Sequence, residues 1–321
     1  VNIIEPRRRI CVLGGSGFVG SELVSRLASA GHWLRVPTRA ASHAAHLSVL
    51  PTVEIVTANV QDPRVLGELL SGMDVAINLV GILNERAGAT FESAHVELVA
   101  KLIDAARIGR VRRLLHMSAL GASAADGPSR YLRSKGRAES LLREAASFLD
   151  CTIFRPSVIF GPQDSLTNRF AALLRLSRGI LPLARPRARF APIYVEDAAE
   201  AFTRALRTAS AIGRTYELCG PEVFTLAEIV RLTAQSAELP CHIVPLPDLI
   251  ARLQGIVFGL LPGKPFSLDN FRSLTRDSVC SENGCAALGI EPQRMAPIVS
   301  QYLGGQSMAA RFNRYRAMAD R

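Results

Sequence analysis

Tyr131 and Lys135 stand four residues apart near the start of a stretch with helical periodicity. At that spacing two side chains share one helix face, and an ammonium beside a phenol lowers the phenol's pKa. Such a phenol can give or take the proton that accompanies a hydride transfer. Tyr-x-x-x-Lys alone is a frequent accident, so its weight depends on what surrounds it. The informative surroundings are Gly14-Gly15-Ser16-Gly17-Phe18-Val19-Gly20, directly behind the apolar run Ile10–Leu13. A buried strand runs into this turn, and a helix opens near Phe18 with Val19, Leu23 and Leu27 on one face and Gly31 at its close. Backbone N–H groups at a helix start, with no Cβ nearby, form a site for a pyrophosphate. Glycines by themselves also make ordinary turns. Strand, turn and amphipathic helix together point to a dinucleotide.

The end of the second strand bears on which dinucleotide. A carboxylate there would grip a ribose 2′-OH, whereas this chain offers Arg35, Pro37, Thr38 and Arg39 and no acid. Arg39 suits a 2′-phosphate, so NADP(H) is expected over NAD(H); the alternative is that Arg39 is one more solvated charge. Pro37 withholds a ladder donor, so the strand is expected to end before it. Asn59-Val60-Gln61-Asp62 follows the third strand, where an adenine would lie. Asn78-Leu79-Val80-Gly81 closes the fourth, and Gly81 would let the backbone pass close to the cofactor. Both stretches also read as plain strand ends.

The elements that must position these residues alternate regularly. Strands are expected at Ile10–Leu13, Trp33–Val36, Val53–Ala58, Asp74–Val80, Leu114–Met117 and Cys151–Phe154, with helices between them, including a long one over Phe91–Ile108. That alternation predicts an α/β, Rossmann-type doubly wound parallel sheet with a smaller, mostly helical C-terminal lobe. The sheet domain is expected over residues 8–160 with 193–220 returning to it. The smaller lobe takes 161–192 and 221–303, and a basic tail takes 304–321.

Bulk properties narrow the classes. The 321 residues are 48% hydrophobic, enough for one large core or a core plus a lobe. No apolar run reaches the roughly 18 residues that span a bilayer, and no signal-like stretch precedes the first strand. The six cysteines are scattered and read as ordinary thiols, Cys280 and Cys285 included, in keeping with a reducing cytosol. No histidine or cysteine spacing suggests a metal. The net charge of +10 is dispersed, without interleaved aromatics or a DNA-binding motif, so an anionic cofactor or membrane surface is expected as partner rather than nucleic acid.

In order, the glycine turn, Asn59–Asp62, Leu79–Gly81, Ser118-Ala119-Leu120-Gly121, Tyr131…Lys135, the run Arg155–Pro162 and Tyr194-Val195-Glu196-Asp197 resemble the extended and atypical short-chain dehydrogenase/reductases. Ser129–Lys135, the run from Arg155, Phe266–Asn270, Asp277–Val279 and Leu288–Ile290 are most similar to the subgroup that holds the NADPH-binding accessory subunit of respiratory complex I and its bacterial relatives. The resemblance implies Tyr131, Lys135 and Ser118 as catalytic residues. It implies Gly14, Ser16, Gly17, Phe18, Val19, Gly20, Arg39, Val60, Asp62, Leu79, Val80, Gly81, Lys135 and Pro156 around the cofactor. It also implies a departure: Ser118 is followed by Ala119 and Leu120, so the hydroxyl that polarises a carbonyl in the family is displaced or missing, and His95 stands where many members carry an asparagine.

Three functions remain open at this level. One is an NADP(H)-binding protein that holds its nucleotide and contacts a respiratory or other membrane-associated complex, cytoplasmic or peripheral at the inner face of a membrane. Another is an NADPH-dependent oxidoreductase acting on an apolar carbonyl or quinone-like molecule. The third is a sensor of the NADP⁺/NADPH ratio. The apolar stretch 249–261 either lies in a membrane interface or packs within the smaller lobe. Asp197 is read as a helix cap.

Overall fold

Ile10, Cys11, Val12 and Leu13 have no exposed surface, because the strand they form runs through the middle of a parallel sheet. The computed structural model describes residues 7–260 and 266–304. The first half alternates as β1 (Arg9–Leu13), α1 (Phe18–Ser29), β2 (Trp33–Thr38), β3 (Val53–Thr57), α2 (Pro63–Leu70), β4 (Val75–Asn78), a π-helical segment (Glu92–Glu97), α3 (Leu98–Gly109), β5 (Arg113–Met117), α4 (Arg130–Glu144) and β6 (Asp150–Pro156). The second half holds β7 (Ile159–Phe160), α5 (Thr167–Leu176), β8 (Ile180–Ala184), β9 (Arg189–Phe190), β10 (Ile193–Tyr194), α6 (Val195–Arg207), β11 (Thr215–Leu218), β12 (Phe224–Thr225), α7 (Leu226–Ser236), β13 (His242–Leu246), α8 (Asp248–Leu260), α9 (Leu268–Ser273), α10 (Gly284–Ala287) and α11 (Met295–Leu303).

Contacts divide the chain into two units. The first, comprising 7–156, 196–218 and 282–290 of the described residues, holds a seven-stranded sheet in the order β11-β6-β5-β4-β1-β2-β3, and every neighbouring pair is parallel. Strand order reverses between β1 and β4, which in an open α/β sheet marks the crevice where ligands bind. One face of the sheet packs Leu66, Leu98, Leu102, Leu114, Ala138 and Leu142 into a single apolar cluster beneath α2, α3 and α4. Burying each such leucine contributes on the order of 1.5–3 kcal/mol.

The second unit takes, among the described residues, 157–195, 219–260, 266–281 and 291–304. It is built from helices and short strand pairs: β7 with β10, β8 with β13, and β9 antiparallel to β12. Phe160, Ala171, Ile229, Met295 and Val299 form one of its cores, and Ala251 and Phe271 belong to another.

Several expectations need correction. β2 continues through Pro37, which pairs with Val56 of β3. Pairing to β1 stops at Cys11 opposite Arg35, so the proline lacks its donor where that ladder has already ended. The long helix over 91–108 begins instead as the π-helical segment, and the helix carrying Tyr131 starts at Arg130 behind the cap Ser129, whose hydroxyl accepts from Leu132 N. Residues 282–290 belong to the sheet unit, not the smaller lobe: Gly284 opens α10 so close to β11 that a Cβ there would lie 2.9 Å from Tyr216. Cys219 and Cys280 are joined in a disulfide and are not ordinary thiols, a bond that a reducing cytosol opposes. Asp197 lies within the first turn of α6, which begins at Val195. The tail beyond Gly304, and Leu261 at the end of the apolar stretch, lie outside the described residues. Among the described residues no helix is long and apolar enough to cross a membrane.

Candidate functional site

The glycine turn is shaped by what a side chain would strike. Gly14 sits at φ +79°, and a Cβ on it would come within 3.1 Å of the backbone of Leu79 and Val80, at the end of β4. A Cβ on Gly20 would run into Gly14 O and lie 2.6 Å from Gly15 Cα, so this glycine lets α1 press against its own turn. Gly17 differs. It is the N-cap of α1 without a side-chain cap, and its Cβ would meet only Gly14 O, at 3.2 Å. Open space beside uncapped helix N–H groups suits a pyrophosphate.

A cavity of about 340 Å³ opens there. From the turn it is lined by Gly14, Gly17, Phe18, Val19 and Gly20, and from the end of β4 by Leu79 and Gly81. Ser118, Tyr131 and Lys135 line it as well, so the structure brings the Tyr–Lys pair and the glycine turn to one place. Ile82, Leu83 and Met117 complete the wall. Sequence reading missed those three, although an apolar pair directly after Gly81 was a usable signal. Ser16, Arg39, Val60, Asp62, Val80 and Pro156 do not line this cavity.

Some of these outlying residues have local work. Asp62 caps α2 by accepting from Arg64 N at 2.9 Å, and Val60 packs against the apolar cluster beside the sheet. Val80 N donates to Asn78 Oδ1 at 3.1 Å. Pro156 ends β6 and accepts from Leu120 N at 3.0 Å. Arg35 is tied to Glu54 at 2.8 Å and to carbonyls at the end of α2, so it cannot serve a nucleotide. Arg39 is exposed and makes no ion pair with the described residues.

The polar groups at the other end of the cavity are engaged within the protein. Lys135 Nζ donates to Met117 O at 2.9 Å, and burial lowers its pKa to about 8 despite the opposing pull of Glu139. The phenol of Tyr131 is raised by burial to about 12, contrary to the expectation that Lys135 would lower it. Desolvation is the cause of that shift. Ser118 is buried, and its hydroxyl donates to Glu139 Oε1 at 2.5 Å. Glu139, with no exposed surface, also accepts two bonds from Arg155 and one from Arg143. A carboxylate facing two guanidiniums is an acceptor only, which fixes Ser118 as the donor.

His95 is the other group whose role the sequence did not disclose. It sits in the π-helical segment, a geometry that recurs at functional sites, and is 1% exposed. Its ring lies 5.5 Å from that of Tyr131 and 5.7 Å from that of Phe91, centroid to centroid. Burial, then Lys135, then His116 lower its pKa to about 2. His116, on β5, is also held well below the usual imidazole range, by burial and by Lys135. Its Nδ1 meets Asn78 Nδ2 at 3.2 Å, while its Nε2 finds no partner among the described residues.

Residues 10–219 match the model of the NAD dependent epimerase/dehydratase family. The chain is 33% identical over 288 residues to NADH dehydrogenase (ubiquinone) 1 alpha subcomplex subunit 9, mitochondrial, of Arabidopsis thaliana, with 85% of this chain and 71% of that protein covered. It is 31% identical over 246 residues to a ceramide reductase of Caulobacter vibrioides, covering 76% of this chain and 75% of that one. Among solved structures, a UDP-glucuronic acid 4-epimerase from Bacillus cereus, in complex with UDP-glucuronic acid and NAD, superimposes with a TM-score of 0.74 over 92% of this chain and 98% of its own. At 15% identity that likeness is one of fold.

Proposed function

The chain belongs to the NAD dependent epimerase/dehydratase family, and from that premise we propose that it holds NADP(H) as a structural element and works through contacts with a protein complex or membrane. Gly14, Ser16, Gly17, Phe18, Val19 and Gly20 seat the pyrophosphate on the start of α1. Arg39 pairs with the 2′-phosphate, Val60 and Asp62 border the adenine, and Leu79, Val80, Gly81, Lys135 and Pro156 flank the nicotinamide half. The bound nucleotide would supply a hydride. The protein's own groups decide whether one is used.

The observation that carries this reading is the hydroxyl of Ser118. Its proton is directed into the buried Glu139 carboxylate, so it has no donor left for a substrate carbonyl. With the Tyr131 phenol at about 12, the corner supports holding better than turnover. Mass spectrometry of the purified protein tests this. NADP(H) should co-purify and survive incubation with carbonyl and quinone acceptors. Consumption of the nucleotide, or NADH in its place, overturns the reading.

A second reading keeps some support. Tyr131 and Lys135 border a cavity whose wall includes Ile82, Leu83 and Met117, a surface suited to an apolar carbonyl or quinone-like substrate. The similarity to a ceramide reductase points the same way. In that case Tyr131 is the proton donor and Ser118 contributes little.

The membrane or complex contact is assigned to α8. One face packs inward through Ala251 and Gly255, whose Cβ would lie 3.1 Å from Leu268 N. Leu249 and Leu253 on the opposite face are 81% and 59% exposed, with Ile250, Ile256 and Val257 beside them near half. Such a stripe lies in a lipid interface or against an apolar partner, and the likeness to mitochondrial complex I subunits favours a peripheral place at the inner face of a membrane. Flotation with anionic vesicles should carry the protein at low salt and fail for Leu253→Asp with Val257→Asp. A protein wholly soluble at low salt removes the membrane from this proposal.

A further inference from the structure

Three hydrogen bonds around His95 form a chain with one direction. Ile82 N lies 3.0 Å from His95 Nε2, and a backbone amide can only donate, so Nε2 must accept. The ring is neutral, so its single proton is then on Nδ1. That proton faces Ser134 Oγ at 2.8 Å, and the Ser134 hydroxyl donates onward to Tyr131 O at 2.7 Å. The chain runs from the segment after β4 through the π-helical segment to the first turn of α4. It therefore ties the backbone at Ile82, one wall of the cavity, to the backbone of Tyr131, on another.

The geometry points to His95 as the positioning residue of this site: a neutral imidazole, fixed with its proton on Nδ1, that holds Ile82 and the Tyr131 turn at a set separation. This deepens the reading of the cavity as a nucleotide site and adds a restriction to it. With Nε2 occupied by an amide, and Lys135 and His116 as its charged and titratable neighbours, His95 carries no proton to or from Tyr131. A second proton on the ring would set two donors against each other at Ile82. The surroundings agree with a fixed ring. A Cβ on Gly81 would sit 3.6 Å from Nε2 and 3.2 Å from Lys135 Nζ, so the segment after β4 passes His95 at contact distance. Phe91 stacks on the imidazole, and Tyr131 meets it edge-on.

The tautomer is directly readable, with or without nucleotide. Nitrogen-15 NMR of the histidine-labelled protein should show one imidazole protonated on Nδ1 that does not titrate between pH 5 and pH 8, and assignment by His95→Gln should remove that signal. A ring protonated on Nε2, or one that titrates in that range, overturns the inference. Hydrogen exchange tests the clamp itself. In His95→Phe, which keeps a ring between Phe91 and Tyr131, the Ile82 amide should exchange at least tenfold faster relative to core amides of β5. His95→Gln supplies one acceptor and one donor and should recover most of that protection. Unchanged exchange in the Phe variant, or no recovery with Gln, defeats the proposal. NADPH affinity measured on the same variants separates the two readings. Failure of the wild type to bind NADPH overturns the cofactor assignment while leaving the tautomer result to stand or fall alone.

Discussion

The two ends of the cavity are built on opposite principles. At the glycine turn the backbone leaves room: Gly17 faces open space, and the start of α1 has no side-chain cap. At the Tyr131 end the side chains close on one another. Lys135 holds Met117 O, Ser118 holds Glu139, and His95 uses both nitrogens. A ligand entering the first region meets waiting donors. In the second it must displace existing bonds or do without them. On the reading proposed above, the contrast is how one fold would keep a nucleotide site while the chemistry beside it falls silent.

The harshest break of that contrast is Gly17→Val. Its Cβ would press on Gly14 O at 3.2 Å and its branches would fill the space beside the turn, so nucleotide binding should disappear with a smaller loss of stability than a fully blocked position gives. Gly20→Ala is the control with the opposite outcome: its Cβ meets Gly14 O and the Gly15 backbone, and overpacking of that kind costs about 1–3 kcal/mol of stability. A thermal shift with NADPH that survives Gly17→Val would mean the glycines are only a turn.

At the closed end, Tyr131→Phe is the next largest test. If the protein does turn over a substrate, loss of the general acid should lower kcat by about two to four orders of magnitude, with NADPH binding nearly unchanged. Full activity in the Phe variant would remove Tyr131 as proton donor.

Lys135 supplies a graded measurement of the same end. Burial brings its pKa from 10.5 to about 8, so between those values the unfolded chain binds a proton that the folded chain has released. Stability should therefore rise with pH across that window, by up to about 3 kcal/mol relative to Lys135→Met. Urea unfolding at pH 8 and pH 10 reads the difference. A parallel response in the two proteins would place the ammonium in a more solvated setting.

Arg39→Ala is the smallest change. Removing a charge-assisted contact of about 1.5–3 kcal/mol should weaken NADPH by roughly one to two orders of magnitude and spare NADH. Equal losses for both nucleotides would return Arg39 to the solvated surface.

The open end was legible in the sequence, and at the closed end the Tyr131–Lys135 pair and Ser118 were legible while the bonds that engage them were not, for physical reasons. Glycine spacing, apolar strands and an amphipathic α1 are local patterns, and they led to the turn and to the sheet that displays it. The Ser118–Glu139 bond joins residues 21 apart, and the Arg155 pair reaches the same carboxylate from another strand. No local pattern encodes such a cluster. The π-helical segment was invisible because its apolar spacing matches that of an α-helix, and Phe91–Ile108 read as one continuous helix. Desolvation of Tyr131 needs the burial of its neighbours, so residue spacing alone suggested the wrong direction of shift. The membership of Glu282–Ile290 in the sheet unit depended on contacts between distant residues, Gly284 with Tyr216 and Arg204 with the Leu288 and Gly289 carbonyls.

The disulfide between Cys219 and Cys280 lies at the two ends of a continuous segment, since the chain leaves the sheet unit after Leu218 and returns to it at Glu282. That makes the segment a covalent ring. A protease cut anywhere inside the ring leaves the two halves of the polypeptide joined, running as one mass until a reductant is added, when they separate. Trapping the thiols with an alkylating agent at the moment of lysis would therefore record the redox conditions of the place where the protein resides.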